Sequence, residues 1–409
     1  MSEKLEAYYG LPNEVKFCKK CVISNQRPSS TVEFKNEKGK KKKVINFNEN
    51  DICSACVYHE KKEKNIDWED RDNKLRELLA KFRSTDGSYD VIVPGSGGKD
   101  SAYTAHILKY KYGMNPLTVT WAPHLYTDIG WKNMQEWMHT GGLDNILYTP
   151  NGKLHREMTK NAFHNLLHPF QPFIVGQRII GPAMAKKFGV QLVMYGENQA
   201  EYGNAIEENI NPIMNMNFFS SDDAMSMKFG GVSMQEYINS GKYSKDDFAP
   251  YIAPNKKDLI DSGIEVHYLG YYLKWDPQEC YYYAVENTGF EANPERTEGT
   301  YSKYSSIDDK IDPFHYYTTL IKFGIGRCTY DAAQEIRNGK ITREEGVYLV
   351  KKYDTEFPEK YFKEFLEYID TTEEQFWNTI DKFRSPHLWK KVNGKWKLRH
   401  TVSKDGTDD

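Results

Sequence analysis

The sequence of 409 residues is long enough for two or three domains, and 39% of the residues are hydrophobic, which is sufficient for a folded core. Its 55 basic and 58 acidic side chains give a net charge of −3, which argues against a general nucleic-acid binder because phosphate contacts require a basic excess. No apolar run approaches the roughly 20 residues of a membrane span, and the first residues lack the apolar segment of a signal peptide, so we expect a cytoplasmic protein.

The first segment of the chain, up to about residue 65, contains two Cys-x-x-Cys pairs. Two close pairs of thiolates suit tetrahedral Zn²⁺, and four protein ligands leave no open position for chemistry. We therefore predict a structural zinc site, although free or redox-active cysteines would give the same pattern and His59 is an alternative ligand. The predicted ligands are Cys18, Cys21, Cys53 and Cys56. The lysine-rich run at 38–43 is predicted to form an exposed hairpin tip.

The middle segment alternates between strand-like and helix-like patterns. Apolar residues recur at helical spacing in four stretches, and short apolar runs bounded by turn residues lie between them. This alternation predicts an α/β fold with a parallel sheet, helices on its faces and right-handed connections. The predicted helices lie near 75–82, 102–109, 129–138 and 179–188, and the predicted strands at 89–93, 117–121, 145–148 and 190–195.

The last segment is aromatic-rich and then helical. Residues 205–265 give no clear pattern, and helices dominate from Pro313 onward. Two capping boxes are predicted, one at Thr342 with Glu345 and one at Thr371 with Glu374. The expected organisation is a zinc-knuckle domain at 1–66, an α/β domain at 67–205, an aromatic-rich substrate-binding region at 206–312 and a helical region at 313–409.

A glycine-rich loop follows the first predicted strand and precedes a helix. It reads Pro94-Gly95-Ser96-Gly97-Gly98-Lys99-Asp100-Ser101. Backbone N–H groups at a helix start bind anions, and glycines let the chain approach a phosphate closely. Lys99 and the two serine hydroxyls are additional donors, and Asp100 is a candidate ligand for Mg²⁺ beside the phosphates. The loop fits neither the Walker nor the dinucleotide pattern, and the alternative is an ordinary turn.

The loop resembles the PP-loop, Ser-Gly-Gly-x-Asp-Ser, of the ATP pyrophosphatase superfamily. That resemblance implies cleavage of ATP between the α and β phosphates, with pyrophosphate held in the loop and AMP passed to a substrate. It also implies that adenine lies against the second strand and that Gly196-Glu197-Asn198 forms a second active-site segment, unless this is a simple turn. The implied cofactor-binding residues are Ser96, Gly97, Gly98, Lys99, Asp100, Ser101, Thr120, Gly196, Glu197 and Asn198.

Further segments narrow the resemblance. With the cysteine pairs, the sequences at 196–203, 298–304, 322–327 and 335–345 resemble the bacterial N-acetyl sugar amidotransferase family of O-antigen and flagellin-sugar pathways, over about residues 15 to 385. The family is taken to convert an acetamido group of a nucleotide-activated sugar to an acetamidino group. This implies adenylation of the amide oxygen, displacement of AMP by ammonia and a catalytic role for Asp100, Ser101 and Lys99. Glu201 is a candidate base, or else a helix cap.

The resemblance also implies a partner and an anionic substrate. The chain contains no recognisable glutaminase domain, so ammonia is expected from a separate glutaminase similar to the subunits of imidazole glycerol phosphate synthase. Tyr202, Lys322 and Arg327 are predicted to bind the substrate. Arg296 and Arg337 are weaker candidates that also fit solvated surface charges. Tyr268, Tyr271, Tyr272 and the tyrosines at 281–283 fit either a stacking surface or a core, and Cys280 and Cys328 fit buried, inert thiols.

Two other functions fit parts of the sequence. A tRNA-modifying thiolase or lysidine-type enzyme would share the PP-loop, and its RNA would suit the zinc knuckles and the lysine run. A thiolase, however, usually needs a reactive cysteine, and the acidic balance disfavours RNA. A non-catalytic zinc scaffold that binds ATP is the second alternative.

Overall fold

The computed structural model describes residues 5–28, 43–203 and 211–404. Its strands are β1 (Val91–Pro94), β2 (Pro116–Trp121), β3 (Asp144–Tyr148), β4 (Leu192–Tyr195), β5 (Lys228–Phe229), β6 (Val232–Ser233), β7 (Glu265–Tyr268), β8 (Trp389–Val392) and β9 (Lys395–Leu398). Its longer N-terminal and central helices are α1 (Ser54–Lys64), α2 (Trp68–Phe82), α3 (Lys99–Tyr110), α4 (Asp128–His139), α5 (Gly152–Leu166) and α6 (Gln171–Phe188).

The remaining helices lie in the second half of the chain. They are α7 (Met234–Asn239), α8 (Lys256–Asp261), α9 (Leu269–Tyr272), α10 (Pro277–Thr288), α11 (Asp312–Phe323), α12 (Arg327–Arg337), α13 (Arg343–Tyr353), α14 (Phe362–Tyr368) and α15 (Glu373–Phe383). The predicted helical C-terminal region is therefore confirmed, and a short antiparallel pair, β8 with β9, follows it. No helix among the described residues is both long and apolar enough to cross a membrane.

A parallel sheet with the strand order β3-β2-β1-β4-β7 forms the centre of the molecule. Ile92 in β1 pairs with Leu117 in β2 and with Val193 in β4. From β1 the chain adds β2 and β3 on one side and then returns to add β4 and β7 on the other. The loops after β1 and β4 thus leave the sheet at the point where the strand order reverses, which is where open α/β sheets bind ligands.

Apolar cores cover both faces of this sheet. Val91 and Val93 point to one face, where α2, α3 and α4 pack, whereas Ile92 points to the other face, beside α5 and α6. Successive strand residues point to opposite faces, so a strand buried on both faces is apolar throughout. The predicted α/β fold with a parallel sheet is confirmed.

Several element boundaries differ from the prediction. Helix α5 was not predicted, and α6 begins at Gln171 instead of near residue 179. Strand β7 lies in the segment assigned to the substrate-binding region at 206–312, so that segment contributes an edge strand to the central sheet. The capping box at Thr342 with Glu345 is confirmed. The one at Thr371 with Glu374 is wrong by one residue, because Thr372 and Gln375 form the box.

Candidate active site

The glycine loop joins β1 to α3 and packs tightly at two of its glycines. Gly97 has a φ of +79°, which favours glycine, and a Cβ there would lie 2.9 Å from the Asn133 carbonyl oxygen. A Cβ on Gly95 would lie 2.1 Å from the Ser101 Cβ. Gly98 is the N-cap of α3 and provides no side-chain acceptor for the first amides of the helix. These amides are therefore available to an anion at the helix start.

Lys99 and Asp100 place opposite charges beside these amides. Lys99 is only 6% exposed, and its ammonium group pairs with an Asp100 carboxylate oxygen. Burial alone would lower the pKa of Lys99, but the carboxylates of Asp100 and Glu197 raise it above its ordinary value. The other Asp100 oxygen, Oδ1, is buried and has no hydrogen-bond partner among the described residues. An unsatisfied carboxylate oxygen beside these helix-start amides fits the Mg²⁺ ligand that the sequence predicts at Asp100.

The segment after β4 places Glu197 and Tyr202 next to each other beside the glycine loop. Their side chains form a hydrogen bond, and both line the cavity beside the loop. Burial and the nearby Asp100 carboxylate raise the pKa of Glu197 to about 7. A carboxylate with such a pKa can exchange a proton near neutral pH.

A cavity of ≈ 660 Å³ connects the glycine loop with the C-terminal helices. Its walls come from the loop, from the ends of β2, β4 and β7, from the N-terminal half of α6, from the cysteine-bearing segment and from residues 304–337. The volume is typical of a site for a ligand of nucleotide size. The predicted site residues that line it are Ser96, Gly98, Lys99, Asp100, Ser101, Gly196, Glu197, Tyr202, Tyr268, Arg327 and Arg337.

Acidic side chains from the segment at 308–331 line the cavity beside the glycine loop. Asp308 forms a hydrogen bond with the Ser96 side chain, and Asp312 pairs with Arg327 at 3.3 Å. Burial raises the pKa of Asp312 to about 7, against the lowering effect of Arg327. Arg327 also pairs with Asp331 at 3.4 Å and lies 4.1 Å from the centre of the Tyr316 ring. The substrate-binding residue predicted here therefore already has two carboxylate partners.

The four cysteines at the N-terminus form one buried cluster. Their sulfur atoms all lie within 4.8 Å of one another. Cys18 Sγ is 3.8 Å from Cys56 Sγ, and Cys21 Sγ is 3.7 Å from Cys53 Sγ. Zn–S bonds of about 2.3 Å in a tetrahedron place sulfurs about 3.8 Å apart, so the donor set fits Zn²⁺. His59 is not part of this cluster among the described residues.

The cysteine cluster is joined to the segment that carries Glu197. Helix α1 begins directly after Cys53, and its Lys62 forms an ion pair with Glu201 at 2.9 Å, with side chains only 1% and 4% exposed. Ser54 donates to the Gly203 carbonyl at 3.0 Å, and Arg27 donates to the Tyr202 carbonyl. The cysteine-bearing segment thus holds residues 201–203 from one side.

Several predicted site residues lie away from the cavity. Glu201 faces Lys62, so the candidate base is paired inside the protein. Lys322 is 1% exposed and donates to the Leu166 carbonyl at 3.1 Å. Asn198 caps the turn that follows it by accepting from the Ala200 amide, and Thr120 lies within 3.0 Å of the Asn145 side-chain amide. Gly97 is also absent from the lining, because it packs against α4.

The remaining candidate residues pair with other side chains or pack in the core. Arg296 forms a two-pronged ion pair with Glu356, with both distances 2.6 Å. Tyr272 and Tyr281 belong to or pack against the core on the α3 side of the sheet. Cys280 and Cys328 are buried, and burial raises the pKa of each thiol.

Other cavity residues were not predicted from the sequence. Trp121 at the end of β2 and Arg27 beside the cysteine cluster both line the cavity, as do Asp308 and Asp312. The position of Trp121 at the carboxyl end of a predicted strand was a usable signal. Arg27, Asp308 and Asp312 lie outside recognisable motifs, and only the packing of distant segments brings them to the site.

Parts of this chain are similar to a protein family model and to known proteins. Residues 298–402 match the family model described as the C-terminal domain of LPS biosynthesis protein WbpG-like. The uncharacterized protein MJ1599 of Methanocaldococcus jannaschii is 36% identical over 80 residues, which are 20% of this chain and 28% of that protein. The chain thus matches less than a third of that relative's length.

A solved structure of NMN synthetase from Francisella tularensis aligns with 71% of this chain and 94% of its own chain, at 12% identity and a TM-score of 0.26. That similarity is too small to support a conclusion about fold or function. The family match covers α11 to α15 and the Glu298-Gly299-Thr300-Tyr301 segment used in the sequence comparison. Residues 298–402 therefore form a WbpG-like C-terminal domain, in agreement with the lipopolysaccharide-biosynthesis family that the motifs of this chain resemble.

Proposed function

We propose that this protein is an ATP-dependent, AMP-forming amidotransferase that converts an acetamido group of a nucleotide-activated sugar to an acetamidino group. The observation that carries the proposal is the shared cavity, in which the glycine loop and the WbpG-like domain face each other. One wall offers an anion-binding loop, and the other comes from a domain of lipopolysaccharide biosynthesis. A cavity built in this way supports ATP as one substrate and a sugar precursor as the other.

In the first step the amide oxygen attacks the α phosphorus of ATP, and the bond to the β,γ-pyrophosphate breaks. The amides at the start of α3 and the Lys99 ammonium are placed to bind the departing pyrophosphate. Asp100 Oδ1 would hold Mg²⁺, whose charge would offset that of the phosphates. The acetamido group would become an adenylated imidate with AMP as its leaving group.

In the second step ammonia adds to the imidate carbon, AMP departs with the former amide oxygen, and one proton is released. Glu197 is better placed than Glu201 to accept that proton, because Glu197 lines the cavity whereas Glu201 is paired with Lys62. Tyr202 would hold the Glu197 carboxylate in position through their hydrogen bond. Exclusion of water from this cavity would protect the imidate from hydrolysis back to the amide.

The test is incubation of the zinc-loaded protein with ATP, Mg²⁺, ammonium and a panel of nucleotide sugars that carry acetamido groups. We expect AMP formation with at least one sugar, together with a mass decrease of about one dalton in that sugar, because NH replaces O. The Asp100→Asn variant is the negative control. AMP formation with no change in the mass of any sugar would contradict the amidotransfer, and co-purifying RNA that stimulates AMP formation would favour a tRNA-modifying enzyme.

A further inference from the structure

Arg27 is a buried cation in the wall of the cavity. The residue is only 6% exposed. Its guanidinium group donates to the Tyr202 carbonyl and lies 5.4 Å from the centre of the Tyr330 ring. Among the described residues no carboxylate forms an ion pair with it. Buried charges in proteins are normally paired, because an isolated charge is costly to remove from water.

Arg337 lies beside Arg27 in the same wall. It donates to the Glu201 carbonyl at 2.9 Å, so the two guanidinium groups bind neighbouring carbonyls of one short segment. Tyr330, Ala333, Gln334 and Arg337 line the cavity and recur at the spacing of one helical face of α12. The two arginines therefore approach the cavity from different segments, one from the cysteine-bearing region and one from the WbpG-like domain.

The carboxylates near this pair are already engaged elsewhere. Glu201 pairs with Lys62 at 2.9 Å, and Asp312 and Asp331 pair with Arg327. The cysteine cluster provides negative charge near Arg337, and its sulfur atoms lie within 4.8 Å of one another as one buried group. Among the described residues, the positive charge of Arg27 therefore has no carboxylate partner, and a bound anion would balance it. Guanidinium groups bind phosphate and carboxylate oxygens in two-pronged geometry.

We propose that Arg27 and Arg337 form an anion subsite for the acceptor, which holds the phosphate or carboxylate oxygens of the sugar substrate in the cavity. The identity of the acceptor rests on the proposed function, whereas the anion subsite does not. The cysteine-bearing segment would then contribute directly to substrate recognition, through Arg27, in addition to holding a metal.

The test is calorimetric titration of the zinc-loaded protein with its glycine loop saturated by α,β-methylene ATP, so that the probe cannot bind there. One probe is UDP-N-acetylglucosamine, which offers a diphosphate, and the other is a free N-acetylhexosaminuronate, which offers a carboxylate. We expect Arg27→Gln and Arg337→Gln each to weaken binding of one of these probes by about 10- to 100-fold, as for a lost charge-assisted hydrogen bond. The probe affected identifies the anion.

Arg76→Gln is the matched control, because Arg76 is exposed and pairs with Asp72 on α2, away from the cavity. It should leave both affinities unchanged. Zinc content and the melting temperature are measured for each variant, and if Arg27→Gln fails to retain zinc, Arg337→Gln decides the question. Affinities within about threefold of the wild type for both probes, or no binding of either probe to the wild type, would overturn the anion subsite.

The two proposals can fail separately. If the wild type forms AMP with a nucleotide sugar but Arg27→Gln has the same KM for that sugar, the subsite is absent and the proposed function stands. If a probe binds through Arg27 but no sugar supports AMP formation, the subsite stands and the proposed reaction fails.

Discussion

At the scale of single residues, the buried pair of Lys62 and Glu201 links the cysteine-bearing segment to the active-site wall. Lys62 Nζ lies 2.9 Å from the Glu201 carboxylate and also donates to the Trp275 carbonyl at 2.9 Å. Both side chains are almost completely buried, so neither charge is solvated by water. The loss of one member therefore leaves the other as an uncompensated buried charge.

We predict that Lys62→Met lowers the free energy of unfolding by about 3–5 kcal/mol, because Glu201 is left unpaired. Adding Glu201→Gln should recover a large part of this loss, which a double-mutant cycle by chemical denaturation would measure. Lys74→Met, which removes an exposed pair with Asp70, should cost less than about 1 kcal/mol. A loss of the same small size for Lys62→Met would refute the linking role.

Asp100 gives the second prediction at this scale. Asp100→Asn keeps the size of the side chain but removes the charge that pairs with Lys99 and the oxygen that is free to bind Mg²⁺. We expect AMP formation to fall by about 100-fold or more, while the melting temperature stays close to that of the wild type because the Glu197 carboxylate still compensates the Lys99 charge. Asp70→Asn on the exposed face of α2 is the control, and activity of Asp100→Asn near the wild-type level would exclude the assigned role.

At the scale of elements, α12 depends on a residue outside itself. Its N-cap, Gly326, has no side chain, and the Asp354 carboxylate beyond α13 accepts from the Gly326 amide at 2.9 Å and from the Thr329 amide at 2.7 Å. Asp354 therefore fixes the start of the helix that contributes Arg327, Tyr330 and Arg337 to the cavity.

Asp354 also predicts a pH dependence of stability. Burial raises its pKa from 3.8 to about 6. Below the ordinary pKa the carboxyl group is protonated in both the folded and unfolded states and carries no penalty. Above about pH 6 the carboxyl group is ionised in both the folded and unfolded states, and the cost of burying its charge is fully present. Relative to Asp354→Asn, the wild type should lose up to about 3 kcal/mol between about pH 4 and about pH 7.

The measurement is chemical denaturation of both proteins across this range. The difference in unfolding free energy between wild type and variant should change with pH, since only the wild type carries the titrating group. A constant difference would contradict the predicted burial cost.

The elements that the sequence predicts well are those with clear periodicity and strong boundaries. Strand β2 and the helix after the glycine loop follow from an apolar run and from apolar residues at helical spacing. Helix α5 was missed although Leu154, Met158 and Ala162 lie on one buried face, because polar residues between them weaken the pattern. Strand β7 was missed because it has four residues and its hydrogen-bond partner, β4, is about 70 residues earlier in the chain.

At the scale of the whole molecule, the candidate site is assembled from three parts of the chain. The glycine loop was predictable because its chemistry is contiguous, and most of its residues line the cavity. Arg27, Trp121, Asp308 and Asp312 were not predicted, because they meet only when the cysteine-bearing segment, the sheet and the WbpG-like domain pack together. Glu201 and Lys322 are charged residues, which are usually exposed. In the structure both are buried and contact other groups of the protein, Lys62 and the Leu166 carbonyl respectively.

The cysteine cluster gives a prediction at this scale. We expect about one equivalent of zinc per chain, and Cys53→Ser should lose the metal and lower the melting temperature, because α1 starts directly after this ligand. Cys328→Ser, which removes a buried thiol outside the cluster, is the control for zinc content. Less than about half an equivalent of zinc in the wild type would contradict the four-thiolate site.

The central claim is that the glycine loop holds the β and γ phosphates while AMP is transferred. Phosphorus NMR of the reaction with ATP, Mg²⁺, ammonium and an accepted nucleotide sugar tests it most directly, because it distinguishes the bond that is cleaved. The account predicts AMP and pyrophosphate in equal amounts. ADP and inorganic phosphate as the products would contradict it.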